Sequence, residues 1–479
     1  MESVACAGPQ VSRQKCAGAM CYKFDPVKDL TAHSIGKHIL QMALPIAAGM
    51  LFQTLYFMID LYFVARLGDA AIAGVSAAGN IMFIVFALTQ VVGVGTVALI
   101  SHAVGRKDRP DATRVFNQSL SLSAACGVLT LLVGYLIAPS YMHTLGADAA
   151  TVSAGIDYLW WFLPSLALQF AVVAMGSALR GTGIVQPSMI VQVLTVILNA
   201  VLAPVLIAGW GTGHPLGVAG AGLASSLSLA VGVVLLGMYF RRLEHYVTFD
   251  STAWRWDFAV WGRLLRIGLP AGGEFALMFV YMVIIYWIIR PFGPAAQAGF
   301  GIGMRLNQSL FLPAMAVAFA TAPIVGQNYA AGKFARVRET FVRATLIGAV
   351  IMAALTLLCQ WRAEWLARVF TTDPDAVAVA TQFLQLISLN FIASGLVFTC
   401  SAVFQGLGNT VPAVLSAATR LLSFIVPALW LMHQPNFRLV ELWYVSIVSM
   451  TVQASVSLWL VRSELRRRMP DAAAVLEAG

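Results

Sequence analysis

The chain has 479 residues, 59% of them hydrophobic and only 11% charged, with a mean hydropathy of +0.81. Soluble domains carry about 25% charged residues, so this composition excludes an ordinary soluble protein and points to a polytopic membrane protein. The net charge of +9 does not argue for nucleic acid, because Lys and Arg lie in short segments between apolar runs, where they set membrane topology.

Residues 1–36 are polar and mixed, without the apolar core of a cleavable signal, and are expected to form a cytoplasmic tail. The first span follows. From Ile39 to Ala65 the only charge is Asp60, over a length that crosses a hydrocarbon core of about 30 Å at roughly 1.5 Å per residue. Counting back along a helix, Tyr56 lies at i−4, Gln53 at i−7 and Gly49 at i−11, which puts all four on one polar stripe. Further apolar windows recur near 71–103, 115–139, 153–178, 187–209, 218–240, 267–290, 297–330, 340–361, 377–404, 412–433 and 441–461. They predict an all-α membrane protein of twelve transmembrane helices. With the N-terminus inside, cytoplasmic segments and their flanks hold 23 Lys and Arg and outer loops hold 5, which favours both termini inside.

The second half repeats the first. Leu-Pro45 corresponds to Leu-Pro270, Gly68 to Gly293, Asp148 to Asp373, and Gly181-x-Gly183 to Gly406-x-Gly408, all at one constant offset. Six spans repeated in the same order imply two pseudo-symmetric six-helix bundles related by an axis along the membrane normal, with a cavity at their interface. The boundaries expected are a tail at 1–36, an N-terminal lobe at 37–240, an inter-lobe cytoplasmic loop at 241–266, a C-terminal lobe at 267–461 and a tail at 462–479.

An acid within a span is expensive and by default functional, so Asp60 is the first candidate, with Glu274, four residues after Pro270, the second. The bland alternatives are a buried ion pair for Asp60 and repair of backbone freed at a proline kink for Glu274. Arg305 and Arg420 are intramembrane cations that formally balance the two acids, and either is a candidate partner of Glu274. At the repeat offset Arg305 aligns with Asn80, so that helix face is polar in both halves. Arg305 joins Glu274 as a candidate substrate or cation site, and no role is assigned to Arg420. The Gly-x-Gly pairs are not phosphate loops, since no strand precedes them and no Lys-Ser/Thr follows. All seven His lie in tails, loops or span ends, and the six Cys show no metal spacing, which disfavours an intramembrane enzyme.

With these residues in view, the chain resembles the multidrug and toxic compound extrusion (MATE) family over nearly all of 37–461. The likeness is carried by Leu-Pro45 with Gln53-Thr-Leu-Tyr56 and Asp60-x-x-Phe-Val-x-Arg-Leu-Gly68, by Leu-Arg180-Gly181-x-Gly183 before Pro187, by Asn199-Ala-Val-Leu-Ala-Pro204, and by Val-Gly326-Gln327-Asn328-Tyr-Ala-Ala-Gly332. The resemblance implies a multi-pass protein of the bacterial inner membrane that exports amphiphilic, often cationic compounds by alternating access. It implies small-molecule and lipid partners, no nucleic acid, a monomer and no cofactor, the coupling ion being a proton or, with less support, sodium. Asp60, Gln53, Tyr56 and Asn199 match the branch that couples to protons through the N-terminal lobe. Two departures stand out. A second acid often found one turn beyond Asn199 is here Ala203, and the tenth window lacks any acid to join Glu274 in a sodium site. A lipid-linked-precursor flippase of related fold is the alternative transporter; the absence of a P-loop disfavours ATP drive.

Overall fold

The computed structural model describes residues 29–469 apart from 147, 212, 245, 251–254 and 372. Its helices are α1 (Ile35–Val64), α2 (Asp69–Gly79), α3 (Ile81–Gly105), α4 (Arg109–Leu145), α5 (Ala149–Gly181), α6 (Gln186–Ala208), α7 (Val218–Arg242), α8 (Phe258–Ile289), α9 (Pro294–Ala330), α10 (Phe334–Arg368), α11 (Pro374–Ile387), α12 (Phe391–Gly406), α13 (Val411–Met432) and α14 (Leu439–Arg468). The pairs α2–α3 and α11–α12 each run on as one span, so the described residues hold twelve helices long and apolar enough to cross a membrane. The fold is the expected all-α one, with α1–α7 in the first bundle and α8–α14 in the second.

Equivalent residues in the two halves start and stop equivalent helices. Asp148 caps α5 by accepting from the Thr151 amide at 2.7 Å, and Asp373 caps α11 by accepting from the Asp375 amide at 3.2 Å. The bond from the Thr151 amide holds the Asp148 carboxyl below its usual range. At the other end of these spans the chain reverses through Gly183 and Gly408, whose φ values of 85° and 71° lie in the left-handed region that favours glycine. The Gly-x-Gly pairs are therefore turns.

Helices outrun the apolar windows where polar residues can extend them. The inter-lobe stretch expected as loop over 241–266 is helical again from Phe258, because Asp257 caps α8 through the Ala259 and Val260 amides and Arg263 reaches Asp111 at 3.2 Å. Likewise α14 continues past 461 to Arg468, where Arg467 and Arg468 pair with Glu464. The tail expected over 1–36 falls mostly outside the described residues, as do Cys6, Cys16 and Cys21 and the stretch beyond 469.

Each bundle has an aromatic core, built on Phe116, Phe162, Phe170 and Phe240 in the first and on Phe300, Phe383, Phe424 and Trp443 in the second. Where the bundles meet, α3 lies along α8 and α9, and α1 lies along α9. The approach is close enough that a Cβ on Gly95 would overlap the Leu264 carbonyl and one on Gly268 the Val91 carbonyl. Hydrogen bonds between the bundles gather at the end holding Gly181 and Gly406. There Gln327 Nε2 donates to the Gly181 carbonyl at 2.9 Å while its Oε1 accepts from the Leu30 amide at 3.1 Å, and His102 Nε2 meets the Gly406 carbonyl at 2.7 Å. The segment before α1 is tied to the second bundle by Asn328, Lys333 and Arg336.

Candidate functional site

The polar stripe on α1 leads from a cavity into a buried knot. The cavity, about 270 Å³, lies within the first bundle and is lined by Gly49, Gln53 and Tyr56 among others. Gln53 Oε1 accepts from Gln192 Nε2 of α6 at 3.3 Å. One turn past Tyr56, Asp60 has left the lining and is only 7% exposed. Its Oδ2 accepts from Ser225 Oγ of α7 at 3.0 Å, while Oδ1 has no hydrogen-bond partner among the described residues.

Asn199 of α6 is wholly buried beside this carboxyl, yet neither atom of its amide closes a hydrogen bond among the described residues. An amide so placed suits both forms of the acid: Oδ1 accepts from a protonated carboxyl and Nδ2 donates to an ionised one. Tyr56 and Tyr158 of α5, the latter 5% exposed, close the knot near the acid. Asp60, Tyr56 and Asn199 are thus brought together, and Gln53 lies outward along the same helix face. One turn beyond Asn199, Ala203 is fully buried, so no second acid stands behind Asp60.

The second bundle holds a separate cavity of about 170 Å³. Glu274 of α8 lines it and accepts from Ser401 Oγ of α12 at 2.7 Å; Gln405 Nε2 donates onward to Ser401 Oγ at 3.3 Å. A serine thus faces Glu274 on the span that lacks an acid. The two cavities are partitioned by aromatic rings: Phe319 of α9 lines both, and Phe86 on the first side meets Phe275 on the second edge-to-face at 5.4 Å. Among the described residues no salt bridge joins Glu274 to either intramembrane arginine of its bundle. Arg305 is exposed and lies off the cavity wall, near Tyr286, whereas Arg420 is on that wall, its guanidinium 4.3 Å from the centre of the Tyr281 ring.

Sequence reasoning did not single out Ser225, Tyr158 or Ser401. A signal existed for the first two. Ser225 follows Gly220-Ala-Gly222 in a small-residue face, and a Cβ on Gly222 would overlap the Tyr158 carbonyl, so α5 and α7 cross at close range.

Two bundles in tandem, each enclosing a cavity served by an ionisable group from its own first helix, define an integral-membrane transporter. The sequence profile of the MatE family matches residues 45–205 and again 270–430, two stretches set apart by the same offset as the internal repeat. The chain belongs to the MatE family. It is 26% identical over 448 residues to the multidrug export protein MepA of Staphylococcus haemolyticus, covering 93% of this chain and 97% of that one. To the FAD transporter of Shewanella oneidensis it is 23% identical over 401 residues, covering 83% and 88%. Among solved structures, the outward-facing conformation of a multidrug resistance MATE family transporter superposes with a TM-score of 0.86 at 24% identity, over 92% of this chain and 98% of that one. A transporter of the MOP superfamily from Pyrococcus furiosus gives 0.86 over the same shares. Both are likenesses of fold.

Proposed function

We propose that this MATE-family efflux transporter of the plasma membrane is a proton-driven antiporter for amphiphilic, cationic organic compounds. The observation that carries the coupling is Asp60: a buried carboxyl with one oxygen bonded, one oxygen open, and an uncommitted amide alongside. Such a group gains or loses a proton with its partners already in place. Substrate occupies the cavities of both bundles, the first lined by Gln53 and Tyr56 on the helix that also carries Asp60 and the second by Glu274, so occupancy of the first cavity and protonation of Asp60 act on one element. Coupling needs only that the two be mutually exclusive, each shifting the inward–outward equilibrium the opposite way. A proton moving inward across 100 mV releases about 2.3 kcal/mol, enough for a roughly fifty-fold gradient of a neutral substrate at one proton per cycle.

The hydrogen bonds gathered between Gly181, Gly406 and Gln327 join the bundles at the end that the Lys/Arg distribution assigns to the cytoplasm. That is the arrangement required of a carrier closed to the inside. Sodium is the secondary reading for the ion, and Glu274 is the only acid that the described residues place on the second cavity's wall. Flux of a fluorescent cation in proteoliposomes, under proton and sodium gradients imposed separately, tests the proposal. Uptake is expected with the proton gradient alone; uptake with sodium alone, or with neither, overturns it.

A further inference from the structure

Neither cavity alone is large enough for a drug-sized ligand. Pockets that hold such molecules measure roughly 300–1,000 Å³, whereas the first cavity is about 270 Å³ and the second about 170 Å³. Joined, they pass the lower bound. What keeps them apart is an aromatic septum in which one ring, that of Phe319 on α9, belongs to both walls.

The septum's other rings, Phe86 and Phe275, hold each other edge-to-face, whereas Phe319 is half-buried and has no ring partner among the described residues. It stands in the run Pro313-Ala-Met-Ala-Val-Ala-Phe-Ala-Thr-Ala-Pro323, where the residues three positions to either side, Ala316 and Ala322, carry only a methyl group. One turn back is Met315, a pliable neighbour on the second cavity's wall. Pro323, four residues on, has no N–H for the Phe319 carbonyl, so α9 lacks the backbone bond that would stiffen it here. The ring has room to turn.

What faces Phe319 from the first bundle is Arg180 of α5, its guanidinium 5.8 Å from the ring centre and its Nη2 donating to Ser177 Oγ at 2.6 Å. That separation suits a cation–π contact. Neither half of it comes from the duplication. At the repeat offset Arg180 becomes Gln405, and residues 91–97 of α3, the counterpart of the Phe319 stretch, contain no ring. The contact crosses from one bundle to the other, so relative movement of the bundles makes or breaks it.

Resting on the export reading above, we propose that Phe319 is a swinging gate between two half-sites and sets the size of ligand the transporter accepts, with Arg180 the positioning residue that holds it shut. A small cation binds within one cavity and leaves the ring in place. A larger one displaces the ring and fills both cavities, touching at once the helix that carries Asp60 and the wall that carries Glu274. Its apparent affinity is then lowered in proportion to the fraction of molecules with the gate open.

The test is equilibrium binding of two radiolabelled cations of equal charge, tetraethylammonium and the larger tetraphenylphosphonium, to the purified full chain. The wild type is expected to hold a single tetraphenylphosphonium. Phe319→Ala should tighten tetraphenylphosphonium by about ten-fold while moving tetraethylammonium less than about two-fold, as removal of a closed state requires. Arg180→Gln, which leaves the ring but removes its cation, should give a gain of about three-fold for the larger ion alone. If Phe319→Ala does not fold, Phe319→Leu serves, with a gain of about three-fold and the same selectivity. Two tetraphenylphosphonium ions per wild-type chain, or a Phe319 variant without a selective gain for the larger ion, overturns the gate and leaves the export reading standing. A wild type that binds neither cation overturns both.

Discussion

The two bundles share a backbone plan and differ in where they keep their charge. Carried into the second bundle by the repeat, the Asp60 knot of Asp60, Asn199, Ser225 and Tyr158 becomes Ile285, Phe424, Met450 and Phe383. The hydrogen-bonded knot of the first bundle is an apolar cluster in the second, where Tyr281 packs edge-on against Phe424 at 4.7 Å. The reverse substitution occurs at the cavity wall: Glu274 and Ser401 replace Gly49 and Gly176. A duplicated scaffold thus holds one acid sealed behind a cavity and another open to its own. A sealed acid is suited to a proton, which passes where no larger ion fits. An acid on the wall is suited to touching a ligand.

That division is broken or sharpened most strongly at Asp60. Asp60→Asn leaves a neutral hydrogen-bonding side chain in the knot, so the protein should fold, while uphill efflux in proteoliposomes falls to the background of empty vesicles. The reciprocal change Glu274→Gln should keep gradient-driven transport and weaken apparent affinity for cationic substrates by about ten-fold, the scale of one charge-assisted hydrogen bond. If it abolishes coupling while sparing affinity, the roles assigned to the bundles are exchanged.

Smaller effects are expected from the partners of the acids. Ser225→Ala removes the hydrogen bond that Ser225 Oγ donates to Asp60 Oδ2 and should destabilise the protein by about 1–3 kcal/mol, the range for a buried group left unpaired. Its pH–rate profile should shift, whereas that of Ser401→Ala should not. The smallest effect concerns Asp257, outside the spans, whose carboxyl is held below its usual range chiefly by the hydrogen bond from Arg114. A depressed carboxyl pKa contributes stability above the unfolded value and loses it as pH falls through the folded one. Asp257→Asn should therefore lower Tm slightly at pH 7, and the gap to the wild type should close on acidification below about pH 4.

Much of this was legible in the residues. Apolar windows marked all twelve spans because a bilayer permits few other solutions, and the constant spacing of matched landmarks exposed the duplication before any coordinates. Helical spacing placed Gln53, Tyr56 and Asp60 on one face, and the family likeness added Asn199. What escaped was cross-helix. Ser225 and Tyr158 are common residues whose proximity to Asp60 depends on how α5, α6 and α7 cross, and no one-dimensional spacing encodes that. The arginines escaped for a different reason: Arg305 and Arg420 are equally intramembrane by position, and only rotation of α9 and α13 about their axes puts the first outside and the second on the wall. Helix ends also ran past the hydropathy windows, since capping and ion pairs at Asp257 and Glu464 extend helices through residues that a bilayer core would reject.

The central claim, that proton coupling resides in the knot of the first bundle, is tested most directly by proton release on ligand binding. Purified protein in weakly buffered detergent solution, near the pH of half-maximal transport, is mixed with saturating rhodamine 123 while a pH dye is followed. The wild type and Glu274→Gln should both release protons as ligand binds, and Asp60→Asn should bind ligand and release none. Undiminished release from Asp60→Asn would contradict the claim.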